Sequence, residues 1–445
     1  MIIVDRTERN RMKKEITRRQ FVGSSLALGA GFLLPTIIPG SVWGQQGNTS
    51  PNNLISIACI GVGGMGMDNM SKFLTLPDCR VVAVCDAYED RRKKAKEVVD
   101  AKYGDSGCAM YADFREVLAR PDIDAVMIAA QDHWHAIMAT EAAKAGKDLY
   151  CEKPLGVSIE QSRAIVDAVR KHERVLQTGT WQRSLDRFQR ACALVRNGYL
   201  GKVHTVEVAA SGPSYVPKYK GSLDPQPVPE GFDWEMWRGP APAEPYNPGR
   251  VDWPDWYLIF DYCTGFISNW GVHHLDIANW GCPQIATTPF ELECDETFRN
   301  EGFTNNSNGW NATFTYADDF KMIFKDKEQM KAGARFISDE GWIYIDRSGL
   351  WSEPASLINT KFKDSDDLLT DSINHGGNFL ECIRSRKDPV SNVDSAHQAS
   401  CLGMLADIAG RLETKLSWDP ATESFKNNDE ANAMLHREMH NGWSL

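Results

Sequence analysis

An α/β architecture of two domains, a doubly wound parallel sheet followed by a unit built on a mostly antiparallel sheet, is predicted by three observations. The chain has 445 residues, more than one hydrophobic core usually serves. From residue 54 to about 178, short apolar runs alternate with helix-length segments. From about Val203 onward, apolar and polar residues instead alternate with the period of a half-buried strand.

In the first part, an apolar run over residues 54–60 precedes a helix from about Met65. Strand 80–85 and a charged helix over 89–102 follow. Next come strand 125–130, helix 135–145, strand 148–152, helix 159–172 and strand 174–178. Short buried strands separated by helices imply a parallel sheet covered on both faces. In the second part, residues 179–445, a strand covers 203–210. A hairpin pairs 311–316 with 320–325 around Ala317-Asp318-Asp319, and 335–337 and 342–346 add further strands. Residues 212–261 are rich in Pro, Trp and Tyr with little periodicity. Long aromatic loops of this kind are binding loops or irregular pads at a subunit contact, and both readings stay open.

Residues 1–44 read as an address. Thr17-Arg18-Arg19-Gln20-Phe21 precedes an apolar run to about residue 38, which resembles a twin-arginine export signal. Residues 45–53 form a polar linker. The twin-arginine export machinery is thus an expected partner. The expected location is the periplasm, with a membrane tether if the signal is not cleaved. No stretch of the mature region is long and apolar enough to span a bilayer. Sixty acidic residues against 49 basic ones give a formal charge of −11, which argues against a nucleic-acid partner. Eleven cysteines show neither Cys-x-x-Cys nor a zinc spacing, so no metal is expected and mostly free thiols are.

Gly61-Val62-Gly63-Gly64-Met65-Gly66 satisfies G-x-G-x-x-G directly after a strand and at the head of a helix, the context that gives this short pattern meaning. Gly61 permits the tight turn, Gly63 lets the backbone approach a pyrophosphate, Gly66 lets the helix pack closely, and Gly64 belongs to the same cofactor-binding turn. With Met65, these residues place the dinucleotide at a helix N-terminus, where free N–H groups favour an anion. The next strand ends in Asp86, 20 residues beyond Gly66, where a carboxylate accepts from ribose hydroxyls and repels a 2′-phosphate. NAD is therefore favoured, Arg91 and Arg92 keep NADP open, and Asp86 as a simple turn residue is the alternative. An exported protein finds little free nicotinamide nucleotide, so a tightly bound cofactor is expected.

At Cys151-Glu152-Lys153-Pro154-Leu155, preceded by His135 and Ala145-Gly146-Lys147, the chain resembles the glucose–fructose oxidoreductase / inositol dehydrogenase / MocA family. The resemblance returns at Asn269-Trp270-Gly271-Val272-His273-His274-Leu275-Asp276, similar to the family's D-x-x-x-H-x-x-D. It implies a Rossmann domain, then an α/β domain whose open sheet face serves homo-oligomers, a dimer or tetramer. It also implies that Lys153 lies beside the nicotinamide and contacts the reacting hydroxyl. Glu152 borders the nucleotide, and the peptide before Pro154 is often cis. His273 becomes the acid/base, a task that suits an imidazole. Spacings of four and three put Asn269, His273 and Asp276 on nearly one helical face. Asn269 departs from the aspartate of many members: it can bond a sugar hydroxyl or orient the ring but brings no negative charge.

His133 and Trp134 stand at the end of a sheet strand, where ligands bind in such folds. His135 contacts the nicotinamide half or caps the next helix. Arg183, with Asn269 and Asp276, is a candidate for binding substrate hydroxyls. Trp253, Trp256 and Tyr257 stack on a pyranose or are packing residues. The implied activity is an exported NAD(P)-dependent oxidoreductase working on a secondary alcohol of a sugar, glycoside or inositol. Two alternatives remain: an NAD-dependent glycoside hydrolase using transient oxidation and elimination, and a non-catalytic sugar-binding protein.

Overall fold

Six short strands make the first sheet: β1 (Ile55–Ile60), β2 (Cys79–Cys85), β3 (Ala109–Tyr111), β4 (Ala125–Ile128), β5 (Asp148–Cys151) and β6 (Leu176–Thr178). The computed structural model describes residues 53–445 apart from 213, 370, 371 and 373, so the expected export signal and nearly all of the linker lie outside the described residues. The strand order is β3-β2-β1-β4-β5-β6, with every neighbour parallel. Between the strands run α1 (Gly64–Phe73), α2 (Glu89–Tyr103), α3 (Phe114–Leu118), α4 (Asp132–Lys144) and α5 (Ile159–Lys171). Strands β4 and β5 are buried at every position, the pattern of a sheet covered on both faces. The chain leaves β1 toward β2 and β3 and returns to the other side at β4. Such a switch point opens a crevice beyond the carboxyl ends of β1 and β4.

Two local features differ from expectation. Strand β3 is only three residues long with none fully buried, too short to show a period. Helix α4 begins at Asp132, not at His135: Gln131 is its N-cap, and Asp132 to His135 form its buried first turn.

The second sheet contains, among the described residues, β7 (Val203–Ala210), β8 (Phe290–Phe298), β9 (Ser307–Thr315), β10 (Lys321–Asp326), β11 (Gly333–Ser338), β12 (Gly341–Asp346), β13 (Gly349–Glu353), β14 (Leu416–Asp419) and β15 (Ser424–Phe425). Their order is β13-β12-β11-β7-β10-β9-β8-β14-β15, and only the β7–β10 pair is parallel. Alternation aims Phe314, Phe324, Phe336 and Ile345 at one face. There they meet Phe266 of α6 (Gly265–Asn269), Leu275 of α7 (Gly271–Gly281) and Leu402 and Leu405 of α8 (Val393–Leu412). Each such phenylalanine contributes about 1.5–3 kcal/mol by burial. Glu207, Arg335 and Tyr344 lie half-buried on the opposite face.

Residues 232–262 build a small aromatic core of their own from Phe232, Trp234, Trp237, Tyr246 and Tyr262. That core docks on the first domain through Tyr88, stacked 3.8 Å from Phe232, and through Trp134 Nε1, which donates to the Trp237 carbonyl at 3.0 Å. Among the described residues no helix is long and apolar enough to cross a membrane. All eleven cysteines are buried free thiols.

Candidate active site

The glycine turn, the lysine of the Glu-Lys-Pro segment and His273 line one cavity of about 600 Å³ at the switch point. Its walls come from both domains. The first contributes the turn after β1, the end of β2 and the turn after β5; the second contributes α7, the aromatic loop and the β12–β13 turn.

Gly61 turns the chain with φ +80°, and a Cβ there would meet the Ala129 carbonyl at 2.6 Å. A Cβ on Gly66 would lie 1.8 Å from the Gly61 oxygen, so helix α1 seats directly on its own turn. Gly63, Gly64 and Met65 border the cavity, and a Cβ on Gly64 would meet nothing within 4 Å. No side chain caps α1, which leaves its first-turn N–H groups for an anion. Asp86 closes the same end. Its carboxylate accepts from the Val62 and Tyr88 N–H groups at 2.9 and 3.0 Å and keeps lone pairs for hydroxyl donors. Burial holds its pKa up, opposed first by Arg91. Arg91 stacks on Tyr88 beside Gly63, whereas Arg92 turns back to the Asp86 carbonyl. An open anion cradle beside a carboxylate that lines the same cavity fits a dinucleotide.

At the other end, Lys153 is buried and donates from Nζ to Asn269 Oδ1 at 2.6 Å and to the Asn269 carbonyl at 3.1 Å. Asn269 Nδ2 donates to Asp132 Oδ2 at 2.7 Å, so a carboxylate stands behind the amide that holds the lysine. Cys263 Sγ also faces Asp132, at 3.1 Å. Burial lowers the Lys153 pKa, opposed by Glu152 and Asp132. Glu152 lines the cavity and accepts from Asn69 Nδ2 at 2.8 Å, tying the lysine's strand end to α1. His135 lines it as well. Its ring nitrogens lie 2.7 Å from the Pro154 carbonyl and 3.1 Å from that of Ala130, so it positions the Lys153–Pro154 turn and does not cap α4. That peptide is cis.

His273 is buried, and its Nδ1 has no hydrogen-bond partner. Burial, then the positive charges of Lys153, Arg347 and His274, hold its pKa well below the usual value. The imidazole is therefore neutral at neutral pH and free to accept a proton.

Several expected contacts go elsewhere. Arg183 and Asp276 do not line the cavity: they pair with each other, Nε to Oδ2 at 2.8 Å and Nη2 to Oδ1 at 2.7 Å, both buried. Asp276 is three residues beyond His273 but faces the turn over 181–184, so the shared helical face is broken by its partner. Asn269 belongs to α6, with Trp270 between it and α7, and bonds the lysine and not the His273 ring. His133 lies outside this cavity. Its nitrogens sit at the Trp237 and Tyr262 carbonyls, 3.2 and 3.4 Å away, and burial lowers its pKa to about 4. His274 turns toward Gln182. Because Arg183 and Asp276 are a fully desolvated pair, Asp276→Ala leaves a buried guanidinium unpaired and is expected to cost about 3–5 kcal/mol of stability. Chemical denaturation checks this, and an unchanged midpoint would refute it.

Asp132, Asn69, Trp181 and Arg347 were not expected here. Only Asp132 carried a signal, as a carboxylate just past a buried strand at the switch point.

The arrangement can hold a dinucleotide with its far end between an ammonium and a neutral imidazole. Residues 55–180 match the oxidoreductase family's NAD-binding Rossmann fold, and residues 186–445 match its C-terminal alpha/beta domain. The inositol 2-dehydrogenase of Pseudomonas syringae is 34% identical over 172 residues, 38% of this chain and 49% of that protein. The myo-inositol 2-dehydrogenase of Thermotoga maritima is 28% identical over 162 residues, 36% of this chain and 46% of its own. The chain thus spans about half the length of these relatives. In fold it is similar to the aldose–aldose oxidoreductase of Caulobacter crescentus, with a TM-score of 0.61, 18% identity and coverage of 81% and 99%. The same holds for a putative myo-inositol dehydrogenase of Sinorhizobium meliloti, with a TM-score of 0.56, 17% identity and coverage of 82% and 99%. With its two family regions in series and the glycine turn, Lys153 and His273 on one cavity, the chain belongs to the glucose–fructose oxidoreductase / inositol dehydrogenase / MocA oxidoreductase family.

Proposed function

We propose that the protein is an exported NAD-dependent dehydrogenase acting on a secondary alcohol of a sugar or polyol. The observation that carries this reading is the shared cavity of the glycine turn, Lys153 and His273. The inositol dehydrogenases among its relatives support the substrate class. The arginine pair and linker of residues 1–53 support export, and an exported enzyme is best served by a cofactor held through repeated turnovers.

Nicotinamide supplies the acceptor for the hydrogen leaving the carbinol carbon. Lys153 Nζ, fixed by Asn269, donates to the substrate oxygen and steadies charge that develops on it. His273 takes the hydroxyl proton as that charge develops. Trp253, Trp256 and Tyr257 on the cavity wall offer apolar faces for a ring. His135 and Asn269 position the lysine.

Purified protein given a panel of sugars and inositols is expected to generate reduced nicotinamide absorbance with at least one secondary alcohol. Aglycone release from aryl glycosides without added cofactor would instead indicate elimination and hydrolysis. Asp86→Ala is expected to raise the NADP/NAD ratio of kcat/KM at least about tenfold by removing a repelling carboxylate. An unchanged ratio would mean Asp86 does not face the ribose.

The pH profile follows from two shifts. His273 must be neutral to accept a proton, and its pKa is lowered, so the acid limb of kcat/KM falls below pH 6.5. Lys153 must be protonated to donate, and its pKa is also lowered, so the alkaline limb begins below pH 10.5. An acid limb centred above 6.5 would contradict the assignment of His273.

A further inference from the structure

The substrate end of the cavity carries a cation that no carboxylate among the described residues pairs with. Arg347, in the turn between β12 and β13, lines the cavity with Lys153, His273, Trp181 and Trp270. Its guanidinium lies 4.8 Å from the Trp181 ring and 5.8 Å from the Trp270 ring. Nε donates to Gln182 Oε1 at 2.9 Å, and Gln182 Nε2 donates to the His273 carbonyl at 3.0 Å. The guanidinium is therefore oriented from the same helix end that carries the base.

Among the described residues, its two terminal nitrogens have no hydrogen-bond partner and no carboxylate stands within ion-pair distance. The adjacent carboxylate, Asp346, is occupied by Lys331 at 3.1 Å, by the Tyr344 hydroxyl and by Ser348. Arg347 is exposed to solvent where it lines the cavity, whereas the buried Arg183, Arg238 and Arg250 are paired with Asp276, Glu235 and Glu244. Crowding alone depresses the Arg347 pKa, with no acid acting on it. Lys153 has Asp132 and Glu152 close by, so the excess of positive charge at this end belongs to Arg347. Indole contacts hold a guanidinium in plane, and its fork of donors matches a planar carboxylate bidentately.

We propose that Arg347 selects a sugar or polyol bearing an oxyanion, a carboxylate before all others, and pairs with it while the reacting hydroxyl faces Lys153 and His273. For turnover this rests on the dehydrogenase reading above; for binding it does not. An anion at Arg347 also offsets one of the charges that depress His273, so an acidic substrate makes the imidazole a better base as it binds.

The test uses D-glucuronate, D-galacturonate and D-mannuronate, each against its uncharged hexuronamide, with glucose 6-phosphate as the phosphoryl arm. Calorimetry reads binding and nicotinamide absorbance reads turnover. At least one acid is expected to bind about 10- to 100-fold tighter than its amide, the worth of a charged hydrogen-bonded pair. Arg347→Gln, checked for folding by its melting temperature, is expected to erase most of that preference, and Arg347→Lys to restore part of it. Stronger binding of the phosphate than of any carboxylate would overturn the preference for carboxylates and assign the site to phosphoryl sugars. Amides binding as tightly as acids, no binding by any acid, or a preference unchanged in Arg347→Gln would overturn the proposal. Acid binding without oxidation of any alcohol would overturn the dehydrogenase reading alone. Oxidation of neutral sugars as fast as acids would overturn the Arg347 proposal alone.

Discussion

Lys153→Met is expected to lower kcat about 10²- to 10³-fold while bound nucleotide is retained, because it removes one preorganised donor at the developing oxyanion. Methionine keeps most of the stem's volume in a buried site, so packing around the Glu-Lys-Pro turn changes little. The ammonium is gripped by Asn269 at 2.6 Å, with Asp132 behind it, so it is held in place before a substrate arrives. Lys153→Arg is not expected to rescue, since a planar fork does not reproduce a compact ammonium on one amide oxygen. Steady-state kinetics with a nucleotide content assay checks this. Activity close to wild type would remove Lys153 from the reaction.

His273→Gln is expected to reduce kcat/KM about 10²- to 10⁴-fold, the usual worth of a positioned general base. Glutamine can still bond a hydroxyl but cannot take its proton. The histidine enters as a neutral ring with Nδ1 unpartnered and so open to a hydroxyl. The residual rate of His273→Gln should also lose the acid limb of the pH profile. Retention of that limb would place the base elsewhere. With Lys153 and His273 acting on one oxygen, as proposed, the double variant should fall well short of the product of the two single losses.

The first domain was readable because its physics is local. A buried strand, a glycine turn and a helix follow one another within residues 54–73, and each element constrains the next. The Glu-Lys-Pro turn and His273 were readable only through family resemblance, since a lone lysine or a histidine pair carries no chemistry by itself. Arg183 and Asp276 misled because helical spacing sets a face but not what that face meets. Their mutual ion pair is a contact across 93 residues. The role expected of Asn269 changed for a similar reason: its amide meets Lys153 and Asp132, which lie 116 and 137 residues away. Arg347 was invisible because a turn between two strands has no pattern that reveals which cavity it closes. The late start assigned to α4 hid Asp132, since a buried carboxylate in a first turn looks like any capping residue until its partners are seen.

The most direct measurement is to denature the purified protein, identify the nucleotide it releases, and in parallel follow the native protein's absorbance at the reduced-nicotinamide band as sugars are added. A stoichiometric nicotinamide nucleotide whose redox state responds to a sugar in wild type, and no longer responds in Lys153→Met, is the predicted result. Release of no nicotinamide nucleotide, with none taken up on incubation, would mean that the glycine turn does not face a cofactor and that Lys153 and His273 serve some other purpose.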